Sequence, residues 1–186
     1  MNASASIPLA RLAALALTLL TTACPGDDHG WVEASTPPET MVLSPSEPRV
    51  QRRVQVRVAP KPGEKLEFSL LNLGIEATRL AWSTPGENIP EVHPWLRVRV
   101  FDERDERLVK EHVLVFDRPE LTLPWPLAFG PDLPKPLREF EATYRIEFER
   151  QGPPSDGTIQ VDWRLDGSAL TPYPDMKHLQ LTLTLL

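Results

Sequence analysis

Residues 140–150 read FEATYRIEFER. Taken two at a time, Phe140, Ala142, Tyr144, Ile146 and Phe148 fall on one side, and Glu141, Arg145, Glu147 and Glu149 on the other. Such alternation marks a half-buried β-strand, because successive side chains of an extended chain point to opposite faces. The same period continues on both sides. In TIQVDWRLDG (158–167) it places Ile159, Val161, Trp163 and Leu165 inward, and in HLQLTLTLL (178–186) it places Leu179, Leu181, Leu183 and Leu185 inward. Upstream, WLRVRVFDERDERLVKEHVLVF (95–116) alternates at Leu96, Val98 and Val100, breaks at a charged tip and resumes at Val113 and Val115, which reads as a hairpin. RVQVRVA (53–59) sets Val54, Val56 and Val58 against Arg53, Gln55 and Arg57. KLEFSLLN (65–72) follows with Leu66, Phe68 and Leu70 inward, and Pro62-Gly63 offers the turn of a further hairpin. Leu80 and Trp82 suggest one more strand before the turn-rich 83–94.

No stretch shows a 3.6-residue period. About eight strands, each apolar on one face, predict an all-β antiparallel β-sandwich over residues 49–186, with Trp82, Trp95 and Trp163 in its core. Within it, Ala142-x-Tyr144-x-Ile146 resembles the tyrosine corner of immunoglobulin-like domains. A jelly roll is the alternative arrangement of the same strands.

Composition agrees. The 186 residues hold 21 Pro against 9 Gly, which favours extended segments over long helices. A net charge of -6 and a pI near 5.3 give no attraction for phosphate backbones, so nucleic acid is excluded as an expected partner. The single cysteine, Cys24, forms no internal disulfide. No 20- to 50-residue repeat is present, which argues against a propeller or solenoid.

The N-terminus runs from Met1 and Arg11 through the apolar Leu12–Leu20 to Thr21, Thr22, Ala23 and Cys24, the order of a secretory signal. The apolar run is too short for the roughly 20 residues of a permanent membrane span. Its end, LLTTAC (19–24), resembles the lipobox of bacterial lipoproteins, in which small residues precede a cysteine that is acylated and becomes the mature N-terminus. The resemblance implies a signal peptide over 1–23, lipidation of Cys24 and an address in the bacterial cell envelope. Pro25, where Asp would mark inner-membrane retention, implies the outer membrane. Residues 24–48 mix Pro, Ser, Thr, Asp and Glu without hydrophobic period and are expected to form a lipid-anchored flexible linker. Trp31 is its exception, expected either to pack on the domain or to sit at the membrane interface.

Catalytic signals are missing. His29, His93, His112 and His178 have no HxH or HExxH spacing, and no nucleophile elbow, phosphate loop or dinucleotide fingerprint occurs. No cofactor is expected. Asp102, Glu103, Asp105 and Glu106 bring hard oxygen ligands to one loop, as calcium requires, with Asp156, Asp162 and Asp166 as further donors if loops converge. Arg104 and Arg107 neutralise that loop, which favours a plain solvated turn. In LPWPLAFGPDLPKP (123–136), Trp125, Leu127 and Phe129 either roof the sandwich or form an exposed platform for a protein or glycan. The expectation is a non-enzymatic, lipid-anchored envelope protein whose sandwich binds another envelope component or has a structural role. The alternative is a calcium-dependent carbohydrate-binding module, or an enzyme using the acidic loops.

Overall fold

The computed structural model describes residues 30–84, 94–121, 127–152, 156–172 and 178–186. In chain order the strands are β1 (Gly30–Ser35), β2 (Glu39–Leu43), β3 (Arg49–Pro60), β4 (Leu70–Ser83), β5 (Trp95–Asp102), β6 (Arg107–Val115), β7 (Glu120–Leu121), β8 (Leu127–Phe129), β9 (Phe140–Gln151), β10 (Thr158–Thr171) and β11 (Leu179–Leu185). They form two antiparallel sheets packed into an all-β sandwich. The first sheet has the order β1-β10-β4-β7, with β2 also paired to β10 and β8 to β4. The second has the order β11-β3-β9-β5-β6.

Alternation in β9 and β10 sets the core. Phe140, Ala142, Tyr144, Ile146 and Phe148 are buried from one side, and Ile159, Val161, Trp163 and Leu165 from the other. Phe148 meets Trp163 between the sheets, with ring centroids 5.1 Å apart. The β5–β6 hairpin forms as expected, and Leu96, Val98 and Val100 are buried.

Three expectations change. First, the linker reading of 24–48 fails for residues 30–43, because β1 and β2 run one after the other along the edge of β10. These edge strands are short and bury only Gly30, Met41 and Leu43, so their hydrophobic signal is weak, and Pro37-Pro38 interrupts it further. At that break the buried Thr36 replaces the missing ladder: its N–H donates to the Leu165 carbonyl, and its hydroxyl accepts from the Leu165 N–H, both at 2.9 Å.

Second, β3 and β4 are not a hairpin. β3 lies between β11 and β9, whereas β4 lies in the other sheet beside β10. The chain crosses between sheets through 61–69, where Phe68 makes a two-way backbone bridge to Leu137. That crossing changes the phase, so Phe68 is buried while Leu70 turns outward.

Third, Leu80 and Trp82 belong to β4 itself. Thr78 bulges out of register opposite Asp162 and Trp163, moving the inward positions from Leu71, Leu73, Ile75 and Ala77 to Leu80 and Trp82. Trp82 and Trp163 are core residues, but Trp95 is half-buried on the outer face of the second sheet, its indole N–H donating to Gln151 at 3.0 Å. Leu183 and Leu185 are also only half-buried, because β11 is an edge strand.

Thr36→Val keeps the side-chain shape but leaves the Leu165 N–H without its acceptor. Urea unfolding should show a loss of about 1–3 kcal/mol, the usual cost of an unsatisfied buried donor.

Candidate functional site

The two outer faces of the sandwich differ in how their polar groups are used. On the second sheet, cross-strand neighbours neutralise one another. Arg49 and Arg97 meet Glu149 at 2.8 and 2.5 Å, Arg99 and Gln51 meet Glu147 at 2.8 and 2.9 Å, and Gln55 meets Glu141 at 2.7 Å. Burial opposes ionisation of Glu149, but the pairs with Arg49 and Arg97 prevail and hold its carboxyl below the usual range. These pairs take up most of the charge at the centre of this face, while Arg57, Gln180 and Thr182 toward its β11 edge line a groove of about 250 Å³.

The outer face of the first sheet is arranged in rows by strand register. Trp31, Leu170 and Leu70 stand side by side, followed by Glu33, Ser168 and Asn72. Next come Ser35, Asp166, Gly74 and Ala128, and then Arg164 beside Glu76. The small residues of the middle rows, ringed by longer side chains, leave an open groove of about 430 Å³. That volume lies within the range of small-ligand sites.

Arg164 spans the groove wall, 2.5 Å from Glu76 and 3.2 Å from Asp166, and both carboxylates raise its affinity for its proton. Among the described residues, the side chains of Glu33, Ser35, Asn72 and Ser168 bond to no protein group. Glu33, Ser168 and Asn72 offer a ligand carboxylate, hydroxyl and amide partners in one row, and Ser35 adds a hydroxyl in the next. The residues lining the groove carry one negative charge in excess, Glu33 and Asp166 against Arg164, which disfavours anions.

Gly74 lies at the floor of this groove, inside a strand. A Cβ there would meet no atom within 4 Å, and its φ is not in the left-handed region. The fold therefore gives no steric reason for glycine at this position. Gly167, in contrast, would place a Cβ 3.2 Å from Leu181 and Leu73. A strand-interior glycine without an internal cause fits a place where a ligand approaches the backbone.

The sites expected from sequence fare differently. Cys24 and Trp125 lie outside the described residues. Leu127 and Phe129 are buried in β8, and Phe129 packs edge-on against Tyr144 at 5.3 Å. These two are therefore roof rather than platform, because β8 pairs with β4 and turns both into the core.

The acidic tip is spoken for by arginine. Asp102 is 2% exposed and holds Arg104 at 2.6 Å. Glu103 pairs with Arg53 at 2.6 Å, Asp105 with Arg107 at 3.6 Å, and Glu106 with Arg145 at 2.8 Å. Among the described residues no group of acids and histidines has the arrangement to hold a metal ion, and Asp162 and Asp166 lie on the other sheet, away from this tip. Tyr144 does not make a tyrosine corner, since its buried hydroxyl has no hydrogen-bond partner. Burial, reinforced by Asp102, pushes that hydroxyl up to about 12.

Sequence reading missed Glu33, Asn72, Gly74, Arg164, Asp166 and Ser168 as a group. The available signal was Gly74 inside an otherwise apolar strand pattern. Fold and groove together define a β-sandwich with a groove of about 430 Å³ on the outer face of the first sheet and largely paired charges on that of the second. Comparison with family models, curated proteins and solved structures gives no match, so the reading of the groove rests on its own geometry.

Hydrogen bonding to Arg104 holds the Asp102 carboxyl below the ordinary range, outweighing burial. A lowered folded value means that this stabilisation is complete above the unfolded value, near pH 4, and is lost as pH falls through the folded one. In urea midpoints measured from neutral to acid pH, Asp102→Asn should be less stable at neutral pH and should lack this part of the acid-induced loss.

Proposed function

We propose that this chain is a lipid-anchored, non-enzymatic binding module of the bacterial cell envelope, and that the groove of the first sheet takes a glycan. The anchor reading is supported by the lipobox-like LLTTAC and by a lone cysteine at its end. The observation that carries the binding reading is Gly74, open at the groove floor beside unengaged Glu33, Asn72 and Ser168.

The chemistry favours an uncharged, hydroxyl-rich ligand. Neighbouring carboxylate, amide and hydroxyl groups can each donate to or accept from sugar hydroxyls, and the excess negative charge disfavours an anionic polymer. The groove is open and shallow, so a chain can lie across it without threading. An outer-membrane location follows from Pro25 after the cysteine, on the same resemblance.

Two measurements test this reading. Cys24→Ser should move the protein from the membrane to the soluble fraction and remove the acyl mass seen by mass spectrometry. An unchanged mass and distribution would remove the anchor. For the groove, Gly74→Trp should weaken binding to envelope glycan fragments by about tenfold or more, equivalent to about 1.4 kcal/mol. Gly74→Ala should leave the fold intact, with a urea unfolding midpoint at or above that of the parent. Equal binding by Gly74→Trp and the parent, or no binding by the parent, would remove the glycan reading.

A further inference from the structure

We propose that the end of the first sheet nearest Cys24 seats directly on the lipid surface, with Trp31, Leu70 and Leu170 as its contact row. This rests on the anchor reading above and goes beyond it, because it assigns the sandwich an orientation and a second contact with the bilayer.

With β1 starting at Gly30, only residues 25–29 stand between the sandwich and Cys24. Fully extended, those six Cα steps reach no more than about 22 Å. A lipid on Cys24 therefore holds the start of β1 close to the bilayer.

The residues at that end suit such a position. Trp31 and Leu70 are 42% and 38% exposed, and Leu170 stands between them in register. An exposed tryptophan flanked by two leucines is costly in water, but an indole with an apolar body and a polar N–H suits the headgroup boundary. Polarity then rises with distance from the anchor. Same-face rows are about 7 Å apart, so Glu33, Ser168 and Asn72 come next, and Arg164 and Glu76 lie about 20 Å from the apolar row. The formal charges of 61–69 and of 130–139, two loops at the same end, each sum to zero. Asp27 and Asp28 between the anchor and β1 add two negative charges, so seating is driven by apolar contact and gains nothing from anionic lipid.

The geometry gives the anchor a second function. A single lipid attachment leaves a domain free to rotate about its tether, whereas a contact row beside the attachment fixes one face toward the membrane. The groove then opens immediately above the lipid surface, where a glycan running along the membrane would lie.

The test uses residues 24–186, which contain every described strand, coupled through Cys24, the only thiol, to a maleimide lipid in phosphatidylcholine vesicles whose acyl chains are brominated near the headgroup. Bromine quenches nearby indoles. The expected result is quenching that Trp31→Phe largely removes, that Leu70→Ser together with Leu170→Ser reduces, and that Val113→Ser leaves unchanged. With Cys24→Ser and a new cysteine appended after Leu186, the quenching of Trp31 should disappear. Quenching that is absent, or equal in Trp31→Phe, or kept after the attachment is moved, overturns the seat. Because the coupling is chemical, such a failure leaves natural lipidation standing, while an unacylated Cys24 in the cell overturns the anchor and with it the biological seat.

Discussion

The contact between the inner faces of β9 and β10 is the constraint on which the rest of the molecule depends. Phe148 against Trp163 fixes the separation and stagger of the two sheets, and the alternation on either side of that pair decides which residues follow them into the core. β10 then recruits β4 along one edge and β1 and β2 along the other, while β9 recruits β3 and β5. Thr36 and Thr78 are local adjustments to that requirement. One bridges a proline break in the edge strand, and the other is the bulge that shifts the inward phase of β4.

With the core committed, the outer faces were free to diverge. The second sheet spends its arginines and glutamates on one another, and the hairpin tip does the same with Asp102 and Arg104. Exposed pairs of this kind contribute little stability each, but as a lattice they leave few carboxylates available to a metal. The first sheet keeps small residues at its centre and polar groups without protein partners around them. Binding is proposed for that face because Glu33, Asn72 and Ser168 stand unengaged around Gly74, whereas most charges of the other face are paired.

On the proposed anchoring, the register of β1 links attachment to recognition. The strand that leads from the cysteine into the sandwich also supplies Trp31 to the apolar row and Glu33 and Ser35 to the groove. Attachment and binding therefore share one edge strand, and the orientation of the groove relative to the membrane is set by a handful of residues instead of a long tether.

The sequence by itself determined the sandwich class and the inward residues of β5, β9 and β10, because strict alternation has one physical solution when one face is buried. It also singled out Cys24. What it left open depended on partners remote along the chain. KLEFSLLN carries a good strand pattern, yet which sheet it joins is decided by β10, not by the nearby β3. Residues 30–43 look like a linker because an edge strand draws its order from the neighbour it pairs with. The groove was illegible for the same reason. Its residues come from β1, β4, β8 and β10, and only the register between those strands brings Glu33, Gly74, Ala128 and Ser168 onto one surface. Period and composition are local properties that a chain states outright, whereas sheet order and register arise from pairings between distant segments, which the tertiary structure alone decides.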